Sequence, residues 1–193
     1  MSKISNRDKL LKTGLRMMHQ HGFVSASVRD IVTAAGVPQG SFTNHFGSKE
    51  AFCLEILNLY HENALKVIDQ TLRNDSIPPL KRLNDYIDAH ATFLKMAGAE
   101  NGCLYGNVTA ELNEHSENVR RSLAKIFEEM RAAVSDCLKA AVKNGDLPKT
   151  TRCHDLADFV VFSMQGAMLL GRSQRNVIPL KHFKEVLFSK VLR

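Results

Sequence analysis

The sequence has no hydrophobic run able to cross a bilayer. Its longest uncharged apolar stretch, Phe159 to Gly171, contains Ser163 and Gln165 and falls short of the ~20 residues a spanning helix needs. No apolar segment follows the basic N-terminus, so no signal peptide is expected and a cytoplasmic protein is. With 11 Gly and 5 Pro in 193 residues, a low-complexity or collagen-like chain is excluded. The four cysteines, Cys53, Cys103, Cys137 and Cys153, form no C-x-x-C pair and no zinc-finger spacing, which points to reduced thiols in a reducing compartment. His19, His21, His115 and the Cys153–His154 pair each lack a second spaced pair of ligands, so no metal site is expected. G-x-S-x-G, P-loop and G-x-G-x-x-G motifs are missing, and no nucleophile has a recognisable base partner nearby in sequence. No enzyme activity and no cofactor are therefore expected.

What is present is a globular composition, 44% hydrophobic and 24% charged, in a chain long enough for one ordinary domain or two small ones. The formal charge is +6, and it is unevenly placed. The first 49 residues carry seven basic side chains (Lys3, Arg7, Lys9, Lys12, Arg16, Arg29, Lys49) against two acidic ones (Asp8, Asp30), leaving the other three quarters almost neutral. A basic end of this kind suits contact with nucleic acid or an anionic surface, although a merely soluble basic end has the same composition.

Apolar residues recur with helical spacing throughout, and no useful length alternates with period two. The spacing predicts helices over about Asn6–Gln20, Ser27–Ala35, Gln39–His45, Ser48 to the Asp75–Pro79 break, Leu80–Met96, Leu104–Asn113, Ser116–Asn144, Thr151–Arg172 and Leu180–Leu192. The fold class is all-α, with nine helices and no strand. The expected division is a basic head, residues 1–50, and a larger helical body, residues 51–193.

Ser27–Ala35 and Gln39–His45, joined by Gly36-Val37-Pro38, form a helix-turn-helix candidate. Gly36 permits a tight turn, and Ile31, Ala35, Val37 and Phe42 supply the small and apolar residues that such a crossing buries. Gln39, Ser41, Thr43 and Asn44 then form a short polar surface suited to base edges in a major groove. Gly40 removes a side chain where the backbone would approach the duplex. A plain two-helix corner is the other reading of the same spacing.

The run Gly36-Val-Pro-Gln-Gly-Ser-Phe-Thr-Asn-His-Phe-Gly-Ser-Lys-Glu-Ala-Phe52 resembles the helix-turn-helix signature of the tetracycline-repressor (TetR) family, and Gly22-Phe23, Ser27 and Ile31 to Gly36 match its upstream part. Close matching covers about residues 7–60. The resemblance implies a ligand-released repressor that binds a palindromic operator as a dimer. It implies that Gln39, Ser41, Thr43 and Asn44 face the groove, that His45 and Lys49 bind phosphates, and that Ser27 and Val28 offer amides to a phosphate. Thr43 departs from the pattern, because the family usually carries Tyr there.

The resemblance places the dimer interface on the last two helices, residues about 151–192. The nearly all-round apolar character of residues 156–171 fits that placement, as it would a central core helix. It also implies an effector pocket in the body, for which His90, Phe93, Tyr105, Asn107, Phe127, Phe162 and Gln165 are candidates beside their plainer reading as core or satisfied buried groups. Cys103 is a further candidate. It precedes a short helix whose dipole would favour thiolate, and the Gly-Cys-Leu run resembles TetR-type repressors that sense electrophiles or oxidants through a cysteine early in the sixth helix. An inert buried thiol is the alternative there. The effector is thus expected to be a small molecule or an electrophile. The competing functional class is a thiol-dependent enzyme or small-molecule carrier with a basic head.

Overall fold

The computed structural model describes residues 4–111 and 116–192. Among the described residues there are nine α-helices and no strand. They are α1 (Asn6–His21), α2 (Val28–Ala35), α3 (Ser41–His45), α4 (Lys49–Gln70), α5 (Pro79–Ala97), α6 (Leu104–Ala110), α7 (Glu117–Asn144), α8 (Cys153–Gln174) and α9 (Ile178–Val186). A 3-10 turn, Ala99–Asn101, lies between α5 and α6, and a π-helical turn, Leu187–Val191, continues α9. Several expected ends shift: Gln39 and Gly40 lie in the turn before α3, α4 ends at Gln70, α8 runs two residues later than expected, and α9 opens at Ile178. The expected end of the sixth helix at Asn113 lies outside the described residues.

The helix ends follow local chemistry. Ser5 and Ser27 cap α1 and α2 by accepting the backbone N–H of Asp8 and Asp30. Pro79 and Pro179 occupy first turns, where a missing N–H costs no helical bond. Gly36 ends α2 in the left-handed region, φ 62° and ψ 40°, with its N–H turned back to Val32 and Thr33.

The chain divides into two compact units, Met1–Glu62 with Leu104–Leu123 and Asn63–Cys103 with Ala124–Arg193. The divisions fall inside α4 and α7, and α6 groups with the N-terminal helices. In the first unit, Leu10, Leu11 and Met18 of α1 and Ile31 and Val32 of α2 meet Phe42, Phe46, Phe52 and Ile56 in one core. The three phenylalanine rings form a mutual cluster with centroids 4.7–5.3 Å apart. A Cβ at Gly14 would lie 2.4 Å from Cζ of Phe52, so the absent side chain in α1 is what admits that ring.

In the second unit, α7 contributes the expected stripe, with Ile126, Met130, Val134, Cys137 and Leu138 buried. It shares the core with Leu83, Tyr86 and Ile87 of α5 and Val160, Val161 and Met164 of α8. Arg82 closes the turn before α5 through bonds to Asp75 and to the Ile77 carbonyl. Lys184 of α9 pairs with Asp88 of α5 at 2.5 Å. The α8 helix is not buried all round: Phe159, Phe162, Leu169 and Leu170 remain exposed. None of the described helices is long and apolar enough to cross a membrane.

Gly14→Ala forces the Phe52 ring to move, and overpacking of this kind costs about 1–3 kcal/mol. The expected outcome is a lower denaturant midpoint with unchanged helical content, measured by circular dichroism during urea unfolding.

Candidate nucleic-acid interface

The α2–turn–α3 segment is built from both ends. At its start, the Ser27 hydroxyl accepts the Asp30 N–H at 3.1 Å and donates to the Asp30 carboxylate at 2.6 Å. This cap leaves the N–H groups of Val28 and Arg29 in the first turn without helical acceptors. At its end, Phe42 and Phe46 anchor α3 in the core, so the intervening Thr43, Asn44 and His45 are turned outward and exposed. Gln39 and Gly40 are also exposed, in the turn just before α3. The result is a polar ridge of Gln39, Thr43, Asn44 and His45 on a unit that also exposes Lys12, Arg16 and Arg29.

Three expected roles look different in the structure. Ser41 is only 7% exposed and its hydroxyl lies 3.4 Å from the Asn6 amide, so it faces α1 and not the outer ridge. The cause is its position at the first residue of α3, where the helix has turned it inward. The Thr43 hydroxyl donates back to the Gly40 carbonyl at 3.1 Å, which leaves its methyl and its acceptor lone pairs for other contacts. Lys49 donates from Nζ to the Val24 carbonyl at 3.0 Å and lies 4.9 Å from the Phe23 ring centroid. Partial burial lowers its pKa, opposed by the charges of Cys53 and Glu111. Two ammonium protons beyond the Val24 bond are available to a phosphate. Arg7, another base of the head, pairs with Glu55 and lies over the Phe46 ring.

The body candidates fall in both units. Tyr105 and Asn107 are buried in the first, where Tyr105 packs edge-on to Tyr60 and its hydroxyl lies 3.2 Å from His61 Nδ1. His90, Phe93, Cys103, Phe127, Phe162 and Gln165 belong to the second unit. Phe162 is 63% exposed on the outer side of α8, which corrects its expected place in a pocket lining. Its helical neighbours Asp158, Phe159 and Leu169 share that side. Phe93 is also largely exposed, and Phe127 is half-buried.

His90 is the better placed of these. Burial lowers its pKa, against the opposing effect of its bond to the Tyr86 carbonyl, 2.9 Å from Nδ1. A neutral ring facing a carbonyl must carry its proton on Nδ1, which makes Nε2 the acceptor. Tyr86 stacks edge-on to it, and the Tyr86 hydroxyl is buried without a hydrogen-bond partner. The Gln165 amide nitrogen is buried and unpartnered as well. Burial, and secondarily the charge of the Cys103 thiol, raise the Tyr86 pKa, so its hydroxyl stays a neutral donor.

Cys103 immediately precedes α6 and is 9% exposed. Among the other thiols, burial pushes Cys53 up to about 12 and Cys137 up to about 11, and the Cys153 sulfur contacts the Thr151 carbonyl. An open groove of about 520 Å³ lies beside the α4–α5 turn, lined among others by Asp75, Arg82 and Lys143, and it includes none of the expected effector residues. Among the described residues, no three His, Cys, Asp or Glu side chains gather to hold a metal. His115 lies outside the described residues.

Comparison with known proteins agrees with this geometry. Residues 10–56 match the family described as bacterial regulatory proteins, tetR family, and residues 79–187 match the tetracyclin repressor-like C-terminal domain. The HTH-type transcriptional repressor DhaR of Mycobacterium sp. (strain GP1) is 35% identical over 192 residues, covering 100% of this chain and 95% of DhaR. The crystal structure of regulatory protein TetR from Rhodobacter sphaeroides superposes with a TM-score of 0.88 at 25% identity, over 94% of this chain and 96% of that one. The reduced form of E. coli NemR gives a TM-score of 0.84 at 26% identity, over 93% of each chain.

Asn44→Ala is expected to relax preference at one base position, at a cost of about 1–3 kcal/mol on the preferred sequence and little on random DNA. Lys49→Ala should weaken binding on every sequence alike. Fluorescence anisotropy on specific and scrambled duplexes separates the two behaviours.

Proposed function

The chain belongs to the tetracycline-repressor family and is a DNA-binding transcriptional regulator, and we propose that it is a dimeric repressor released from a palindromic operator by an effector. The observation that carries this reading is the exposed ridge Gln39, Thr43, Asn44 and His45, held outward within the basic first 49 residues by buried Phe42 and Phe46. Residues 1–50 supply the DNA surface, and residues 51–193 supply the effector and dimer functions. Gln39, Gly40, Thr43 and Asn44 approach base edges, His45 and Lys49 meet phosphates, and the α2 N-terminus at Ser27 and Val28 receives one phosphate.

A single helix-turn-helix reads one half-site, so two copies are needed to read a palindrome. The exposed stripe of Phe159, Phe162 and Leu169 on α8 supports pairing through residues 151–192. Gly166 lies in the same stripe, where an added Cβ would meet nothing within 4 Å, so a second helix can come close.

The unpartnered Tyr86 hydroxyl and Gln165 amide support an effector site in the second unit, since buried donors left unmade are costly. A ligand acceptor reaching either group would satisfy it. Cys103 adds a covalent route for an electrophile, with its thiol near enough to Tyr86 for the two to interact electrostatically. The E. coli NemR relative is described in a reduced form. Cytoplasmic action on chromosomal DNA completes the reading.

A gel shift on DNA flanking the protein's own gene, titrated with salt, tests the core of this. The expected outcome is specific binding whose affinity falls steeply with salt, with a log–log slope near −0.9 per phosphate contacted. Failure to find any specific site there would favour a carrier or thiol-dependent enzyme.

Two further outcomes are expected. Sedimentation should return a dimer at micromolar concentration, and Phe162→Glu should return a monomer that has lost operator affinity while keeping its helical signal. N-ethylmaleimide should release DNA from the wild type and not from Cys103→Ser. Equal release from both would leave a non-covalent effector as the mechanism.

A further inference from the structure

The turn joining α1 to α2 is held in an unusual way. Val24 at its middle is 62% exposed, so its side chain does little to fix it. Its peptide groups are gripped instead. The Val24 N–H donates to Glu111 Oε2 at 2.7 Å, and the Val24 carbonyl accepts from Lys49 Nζ at 3.0 Å. Glu111 follows the last residue of α6, and Lys49 is the first residue of α4. The carboxylate and the ammonium also interact through their charges.

Gly22 makes the grip possible. Its φ of +87° is a conformation that side chains rarely adopt, and a Cβ built there would lie 1.9 Å from Glu111 Oε1. The carboxylate occupies the space a side chain at position 22 would take. Three residues beyond Val24 stands Ser27, the cap of α2. The placement of the α2 N-terminus therefore depends on a residue just beyond α6 that carries no signature of its own in the sequence.

We propose that Glu111 is a positioning residue for DNA binding: by holding the Val24 N–H it sets the α2 N-terminus where its free amides meet a phosphate, without touching DNA itself. This rests on the reading of the α2 N-terminus as a phosphate contact. The carboxylate works through reach and acceptor geometry and not through charge at the DNA, where a negative group would only repel.

Three substitutions separate these terms. Glu111→Gln keeps the length and an acceptor oxygen, Glu111→Asp keeps the charge and shortens the reach by one methylene, and Glu111→Ala removes both. Operator affinity and hydrogen exchange of the Val24 amide are read for each. Glu111→Gln is expected to stay within about threefold of the wild type with Val24 protected. Glu111→Asp and Glu111→Ala are each expected to lose about tenfold in affinity with faster Val24 exchange, the scale of one charge-assisted hydrogen bond. Wild-type affinity and Val24 protection in Glu111→Asp and Glu111→Ala would overturn the proposal, as would loss in Glu111→Gln with retention in Glu111→Asp. If the wild type bound no operator, the reading of the head would fail. Val24 exchange would still decide whether Glu111 holds the turn, and unchanged exchange in all three variants would refute that.

Discussion

The packing of Phe52 against the bare backbone of Gly14 is the contact on which the exposed polar ridge depends. Helix α3 has five residues, too few to be stable alone in water, so its existence and direction come from what it packs against. Phe42 and Phe46 dock on Phe52, and Phe52 has its place only because α1 offers no side chain at position 14. Once these three rings are fixed, the residues between Phe42 and Phe46 have one way to point. The direction of the ridge is thus a consequence of an aromatic core.

This explains which parts were legible in the sequence. Helical periodicity, caps and breakers are local signals, and they locate all nine helices to within a few residues. The motif around Gly36 to Phe52 spans one local unit, and the exposed positions of Gln39, Thr43, Asn44 and His45 follow from the same spacing. Ser41 was not legible because a five-residue helix does not present whole turns. Its residue type suits a groove, while its direction is decided by the neighbouring Phe42 and by α1. Phe162 misled for a related reason. An apolar residue on an apolar helix reads as interior, and only the packing of α8 shows which side is left uncovered.

Glu111 was invisible for a deeper reason. It lies 87 residues from the N–H it accepts, and nothing in its local sequence marks it. Its one sequence trace is indirect: a glycine at position 22 that ends α1, which reads equally well as an ordinary helix stop. Lys49 shows the converse case. It belongs to the recognisable motif and reads as a phosphate ligand, yet it also bonds the Val24 carbonyl. A single lysine can serve both purposes because an ammonium carries three donors. Motif residues near a joint are therefore poor guides to which of two jobs dominates.

The two proposed elements, a sensing thiol and a positioning carboxylate, stand at opposite ends of one short helix. Cys103 precedes Leu104, the first residue of α6, and Glu111 follows Ala110, the last. A substituent added to a thiol that is 9% exposed needs room that its surroundings do not hold, so adduct formation would disturb the backbone where α6 begins. A hydrogen bond to a charged group is worth about 1.5–3 kcal/mol, or roughly tenfold to a hundredfold in an equilibrium. On the proposal that Glu111 positions the α2 N-terminus, losing its bond to Val24 would lower operator affinity by about that factor for each half-site, and over two half-sites of a dimer the factors would multiply.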